Sequence, residues 1–519
     1  VTDTTDAVAP PQLPTARAVP PLLDTSAMWT DEMVAGAGIP VQDVPFVSVG
    51  GGMGSFVTVD YLRIAGDVPA EDIRVLSNLA HPWETYEYLT RVSQLPRARR
   101  IRSDSASRPD NLWGFPSYAL QEAWRTRSLK PLTQVFLEPD FADFYTPVLG
   151  TVLDGIAREA DRIRYGEMLV RGEVQVVRRR AGGGYFSLLS PAAAEGGTAP
   201  PGHVAFRSRD VHLAVGYPGL RFLPDMQAFR ERMNDFHHVV NGYEDHEHVY
   251  QALRHRPGTV LVRGGGVVAS AVLHRLITDR LQGGAETRIV HLFRTYYAGH
   301  HGPHPWARRP GRDGWAFQGF NYPKSAWGGQ LRARMRGLEG ADRVRIYEQI
   351  GGTTTPSRRH WRAGQRTARE EGWYQPVSGR IADLRLDGTG MVATIGRPEG
   401  LANVAVDYVI DCTGLNGDIS EHRVLGDLLR QPGIGRNVLG RLDVGEAFDV
   451  RGADNGVGRL YATGAAAYGG YFPGVDTFLG LQLAAQDVVD DIARRGHCDR
   501  MGPVSSIARW LKWATGRRI

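Results

Sequence analysis

Apolar positions along this chain recur at two periods. Short continuous or alternating runs read as strands, and longer stretches with apolar residues three and four apart read as helices. Residues 44–49 form a buried strand that stops at Gly50-Gly51-Gly52. A helical pattern starts at Met53 and runs to about Ile64, and Ile73-Arg-Val-Leu-Ser77 is the next strand. The same alternation returns later. Residues 259–263 are a strand, Gly264-Gly265-Gly266 a turn, residues 267–281 a helix, and residues 288–293 a strand.

Other elements follow from the same patterns. Residues 144–163 and 244–253 read as helices, and residues 173–178 and 184–189 as a hairpin with Arg178-Arg179-Arg180 solvated at its turn. Residues 211–216, 405–410 and 458–464 are strands, the last followed by a glycine-rich loop and an amphipathic helix from Phe478 to Arg494. Asp476 or Thr477 is expected to cap that helix. Strands alternating with helices predict an α/β fold.

The two glycine turns carry the chemistry. Gly50-x-Gly52-x-x-Ser55 suits a dinucleotide: Gly50 makes the tight turn, Gly52 admits a pyrophosphate to the backbone, and small Ser55 lets the helix pack on the strand. Free amides at the helix start would hold phosphate oxygens, with Gly54 in the same first turn. No carboxylate follows at the second strand end, where Ser77 and Asn78 stand. The second turn reads Gly264-x-Gly266-x-x-Ala269-Ser270, and its second strand ends at Arg294. An arginine there suits the 2′-phosphate of NADP, whereas an acid would bind the ribose of NAD. A chain with two such turns is expected to hold a flavin and a nicotinamide and to pass hydride between them.

Composition narrows the class. The chain has 519 residues, 42% hydrophobic and 23% charged, as in a globular protein with two or three domains. A net charge of +5 with dispersed arginines favours anionic small molecules over nucleic acid. No apolar run reaches the roughly 20 residues of a membrane span. The N-terminal stretch lacks the pattern of a secretory signal, so a cytoplasmic location is expected. Two cysteines, Cys412 and Cys498, build neither a disulfide framework nor a C-x-x-C redox centre. His300-His301-x-x-His304 has no carboxylate or cysteine at useful spacing, so no metal is expected.

Four stretches in order, Gly50–Ser55, Ala214-Val-Gly-Tyr-Pro218, Gly264–Ser270 and Asp407-Tyr-Val-Ile-Asp-Cys-Thr-Gly-Leu415, resemble the class B flavoprotein monooxygenases, nearest their amine N-hydroxylating branch. The D-x-x-x-(L/F)-A-T-G-Y pattern of that family is met at Asp407, Thr413 and Gly414, while Asp411, Cys412 and Leu415 depart from it. The resemblance implies FAD at the first turn and NADPH at the second, in two Rossmann-like domains with the NADPH domain inserted in the FAD domain. The division expected is a flexible arm 1–40, FAD domain 41–220 and 401–495, NADPH domain with a substrate-region insertion 221–400, and a basic tail 496–519. Further cofactor contacts are expected at Ser77, Thr413, Gly414, Gly464, Asp476 and Thr477. Asn321 and Lys324, in a stretch loosely resembling the family's Asn-Glu-x-Phe, are the candidate catalytic residues. Arg308, Arg309 and Arg312 are candidates for gripping a substrate carboxylate. The implied reaction hydroxylates the nitrogen of a small polar amine or amino acid with O₂ through a flavin C4a-(hydro)peroxide. The alternatives are an NAD(P)H-dependent flavoprotein reductase without oxygenation and a flavin-binding protein without catalysis. Neither substrate nor oligomeric state is specified.

Overall fold

The computed structural model describes residues 18–101, 117–137, 145–192, 202–301, 311–317, 330–350, 358–388, 390–472 and 474–519. Phe46–Val49 and Ile73–Ser77 are adjacent parallel strands joined by the helix Met53–Ile64, and Asp210–Leu213 flanks Phe46–Val49 on the other side. Leu460–Ala462 extends this sheet beside Asp210–Leu213, and Leu169–Arg180 extends it beside Ile73–Ser77. Tyr185–Pro191, Val204–Ser208 and Val41–Asp43 complete the run, and Met28–Trp29 pairs with Leu169–Arg180, giving nine strands. All four residues of Phe46–Val49 are buried, because helices cover both faces of a parallel sheet. The core there joins Phe56, Val57 and Leu62 to Leu479, Leu483 and Val488 of the helix Phe478–Arg494.

The second sheet lies between two crossings of the chain. Its five parallel strands run in the order Val239–Asn241, Tyr408–Asp411, Gly258–Arg263, Thr287–Phe293, Tyr374–Ser378. The chain leaves the first sheet after Leu213 and returns to it at Leu460, so the second unit is inserted in the first. The expected α/β fold with two Rossmann-like units is the observed one.

Several expectations differ from the structure. Residues 405–410 are not one strand: Gly400–Val406 closes a three-stranded antiparallel sheet with Arg380–Asp387 and Gly390–Arg397, and Tyr408–Asp411 belongs to the second parallel sheet. The chain changes sheets at Asp407, whose Oδ2 accepts the Thr259 amide at 2.7 Å. Apolar alternation continues across that change, so it left no mark in the pattern. Helices expected at 144–163 and 244–253 are shorter or shifted, at Leu149–Arg162 and Glu247–His255. The hairpin strands reach further, to Leu169–Arg180 and Tyr185–Pro191, so the three arginines lie within a strand. Arg178 is buried in an ion pair with Asp427 (Nη2–Oδ1 2.9 Å), and Arg180 pairs with Asp31.

Both chain ends, as far as described, are docked. Residues 18–40 include the helix Asp31–Gly36, and Leu23, Trp29, Val34 and Ile39 bury against Val176, Phe186, Leu188 and Ala205. The C-terminal stretch forms the helix Pro503–Ala514, tied down where Arg509 donates to the Ile64 and Ala65 carbonyls and the Ile519 amide to Arg162. No helix among the described residues is long and apolar enough to cross a membrane.

Candidate cofactor and substrate site

At the first turn only one glycine has room in front of it. Gly50 has φ +107°, and a Cβ on it would overlap the Ala214 carbonyl, with the carbonyl carbon at 2.7 Å. A Cβ on Gly51 would meet Ser77 Cβ at 2.6 Å, and one on Gly54 would meet Ala214 Cβ at 2.9 Å. A Cβ on Gly52 meets nothing within 4 Å. Gly50, Gly51 and Gly54 are therefore set by packing of the turn against its neighbours. Gly52 faces open space at the start of the helix Met53–Ile64, whose first amides lack intrahelical acceptors. That is the geometry of an anion cradle.

The second turn repeats the device. Gly264 has φ +130°, and its Cβ would meet Cys412 O at 2.8 Å. Gly266 caps the helix Val267–Gly283 at φ −95°, ψ −166°, close to Gly52 at −81°, −164°. Each turn thus presses on the first residue after a neighbouring parallel strand: Ala214 after Asp210–Leu213, Cys412 after Tyr408–Asp411. Ala269 and Ser270 are buried, with Ser270 Oγ donating to Val267 O at 2.8 Å.

A buried neutral histidine supports each turn, and the sequence reading missed both. Ser55 Oγ donates to Gly50 O at 3.0 Å and accepts from Ser48 Oγ at 2.8 Å. Ser48 Oγ must then accept from His212 Nδ1 at 3.0 Å, which leaves His212 Nε2 to accept from Thr463 Oγ1 at 2.8 Å. At the second turn His291 Nε2 donates to Gly264 O at 2.6 Å, and Nδ1 accepts from Tyr374 OH at 2.8 Å. Both rings are fully buried, and burial depresses each pKa to about 3. A histidine inside an otherwise apolar strand was the available signal.

The two crossings meet between the turns. Leu415–Asn416 pairs antiparallel with Gly219–Leu220, and the Arg221 amide donates to Gly414 O at 3.3 Å. Gly414 takes φ +119°, and the Thr413 amide donates to Asp411 Oδ1 at 3.0 Å, whose carboxyl burial pushes up. On the first-sheet side, Gly464 opens a short 3₁₀ turn after Leu460–Ala462 with φ +66°. Thr477 supplies the helix cap, its Oγ1 accepting from the Gly480 amide at 3.1 Å. Asp476 instead accepts from Tyr217 OH at 2.6 Å, joining this loop to the first crossing.

The remaining candidates divide. Arg294 stands exposed at the end of Thr287–Phe293. Arg312 is exposed on a small hairpin, Gly311–Arg312 with Trp315–Ala316, whose Gly314 and Trp315 pack on Phe293 at that same strand end. The hairpin that carries Arg312 thus packs at the strand end that precedes Arg294. Ser77 Oγ accepts from the Leu79 amide at 3.0 Å and shapes the first turn from the side. Arg308, Arg309, Asn321 and Lys324 lie outside the described residues. Among the described residues no group of three or more His, Cys, Asp or Glu is placed to hold a metal.

No protein-family model and no curated protein sequence matches the chain. Solved structures match its fold. The ornithine hydroxylase of Pseudomonas aeruginosa is 13% identical, over 88% of this chain and 100% of that one, with a TM-score of 0.60. The ornithine N-hydroxylase of Kutzneria sp. 744 is 13% identical, over 88% and 100%, with a TM-score of 0.61. The L-lysine 6-monooxygenase of Pseudomonas syringae is 14% identical, over 87% and 99%, with a TM-score of 0.60. This chain accordingly has the fold of the class B flavin monooxygenases, in the form seen in the ornithine and lysine hydroxylases.

Proposed function

We propose that this protein is an FAD- and NADPH-dependent monooxygenase that hydroxylates the nitrogen of a small polar amine, one bearing a carboxylate. The observation that carries the reading is the pair of glycine turns that enter a helix with nearly the same backbone angles at Gly52 and Gly266, the first open in front of Gly52, on two units joined by a hydrogen-bonded double crossing. The fold likeness supports it: the Kutzneria structure is described with reduced FAD, NADP⁺ and L-ornithine, and a cadaverine monooxygenase from Erwinia amylovora, with a TM-score of 0.60, with FAD.

The residues fit these groups. Gly52 and the Met53 helix start would take the FAD pyrophosphate, with Ser55, Ser48 and His212 holding the turn in shape. Gly266 and the Val267 helix start would take that of NADPH, with His291 holding Gly264. Arg294, joined by Arg312, would meet the 2′-phosphate. Thr413 and Gly414 lie at the second crossing, and Gly464, Asp476 and Thr477 on the first-sheet loop that Tyr217 ties to the first crossing; these residues would line the flavin ring. Held at these two turns, the pair of cofactors would supply hydride transfer and the activation of O₂. The chain's part is to align the two rings, exclude water and deliver the substrate nitrogen unprotonated. Desolvation favours the neutral amine, so activity is expected to rise with pH through neutrality. We assign the substrate-facing polar roles to Asn321 and Lys324, and to Arg308 and Arg309 the longer-range attraction of an anionic substrate.

The test is direct. Purified protein should be yellow, release FAD on denaturation and oxidise NADPH in air. ¹⁸O-labelled dioxygen should mark a hydroxylated product from a panel of amines and amino acids. A colourless protein that takes up no FAD, or labelled oxygen absent from every product, would defeat the proposal.

A further inference from the structure

Arg441 carries a charge that no described carboxylate neutralises. Its backbone is strapped in place: the Asn437 amide donates to Arg441 O at 2.7 Å, and Asn437 Oδ1 accepts the Arg441 amide at 3.1 Å. Asn437 Nδ2 also donates to Tyr468 O at 3.0 Å, and the Leu442 amide to Ala466 O at 3.0 Å. This turn is thereby fixed to the loop that follows Leu460–Ala462. From it the side chain reaches the second crossing. A Cβ on Gly417 would overlap the Arg441 guanidinium, with Cζ at 2.6 Å, so the arginine occupies the space left by a missing side chain.

The acids around Arg441 are engaged elsewhere. Asp418 pairs with Arg436 at 2.9 Å and accepts from Ser420, and Asp476 accepts from Tyr217 OH. The guanidinium is half-buried, and desolvation pulls its pKa down. A partly desolvated cation without a counter-ion is costly, and an arriving anion removes that cost. The candidate phosphate positions do not supply it. They lie at the Met53 and Val267 helix starts, whereas Arg441 lies against the crossing that continues from Gly414.

Building on the function proposed above, we propose that Arg441 is the carboxylate subsite for the amine substrate, held against Gly417 at the junction of the two units. The planar guanidinium presents two parallel donors to a carboxylate. Gly417 lacks a side chain because one would displace that fork.

The experiment uses the FAD-loaded full chain. Dissociation constants are measured by calorimetry for the proteinogenic L-amino acids and L-ornithine, each beside its α-carboxamide, which removes only the carboxylate charge. At least one acid should bind wild type tenfold or more tightly than its amide. Arg441→Gln should bring that ratio to about one, and Arg441→Lys should keep part of it. Gly417→Ala keeps the charge but moves it, and should lower the ratio while the unfolding midpoint stays near wild type. The subsite is overturned if Arg441→Gln keeps the wild-type ratio, if no acid binds more tightly than its amide, or if the loss falls on FAD or NADPH affinity instead. FAD-loaded protein that oxidises NADPH but makes no acid–amide distinction defeats the subsite alone. Protein that takes up no FAD defeats the parent reading with it.

Discussion

Two glycines only two residues apart should fail in different ways when given a methyl group. Gly52 has φ −81°, ψ −164°, backbone open to any residue, and a Cβ there meets nothing within 4 Å. Gly52→Ala should therefore fold as wild type, or gain about 0.4–1 kcal/mol from a less flexible unfolded chain. What it loses is the approach of the pyrophosphate to the helix amides. Two charge-assisted hydrogen bonds at about 1.5–3 kcal/mol each give roughly 3–6 kcal/mol, or about a hundred- to ten-thousandfold in Kd for FAD. Gly50 has φ +107°, and its Cβ would overlap the Ala214 carbonyl. The strained backbone alone costs about 1–3 kcal/mol, and the overlap is with main chain that no rotamer change relieves. Gly50→Ala should therefore destabilise the fold itself. The assay pairs urea unfolding of both variants with FAD titration of deflavinated protein, followed by flavin fluorescence. Gly52→Ala binding FAD like wild type would refute the cradle. Equal destabilisation by both substitutions would refute the division between packing and ligand glycines.

Arg294→Ala should lower kcat/KM for NADPH by roughly ten- to a hundredfold with little effect on NADH, since a guanidinium–phosphate contact is worth about 1.5–3 kcal/mol; equal loss with both cofactors would contradict the assignment. His212 and His291 titrate near 3 when folded and near the ordinary 6.5 when unfolded, so the unfolded chain binds more protons between those values. Stability should be complete above pH 6.5 and fall on acidification, by about 1.4 kcal/mol per pH unit for each histidine. His291→Gln should flatten that slope in urea unfolding between pH 5 and 7, and raise the Kd for NADPH more than that for FAD. Asp427→Ala strands Arg178 in the core with the Ser26 carbonyl at 2.9 Å, and should cost about 3–5 kcal/mol by chemical denaturation; a loss under about 1 kcal/mol would show that Arg178 finds water.

What the sequence determined by itself is local. A strand, a turn requiring positive φ, and the start of a helix are written within a short stretch of neighbouring residues, so Gly50–Ile64 and Gly264–Gly283 were legible as they stand. The helix Phe478–Arg494 was legible for the same reason, since its apolar stripe and its cap are read from neighbouring positions. Only the tertiary structure chose Thr477 over Asp476 as that cap, because Tyr217, far away in the chain, takes Asp476. It also put His212 beneath the first turn and His291 beneath the second, buried Arg178 against Asp427, and carried the chain from one sheet to another at Asp407. Each of these depends on a partner brought near by strand order rather than by sequence distance. Arg441 and Gly417 show the same limit: neither residue is distinctive in its own surroundings, and their meaning comes from a cation occupying the space that a missing Cβ leaves. Periodicity records which way a side chain faces, and the fold alone decides what it faces.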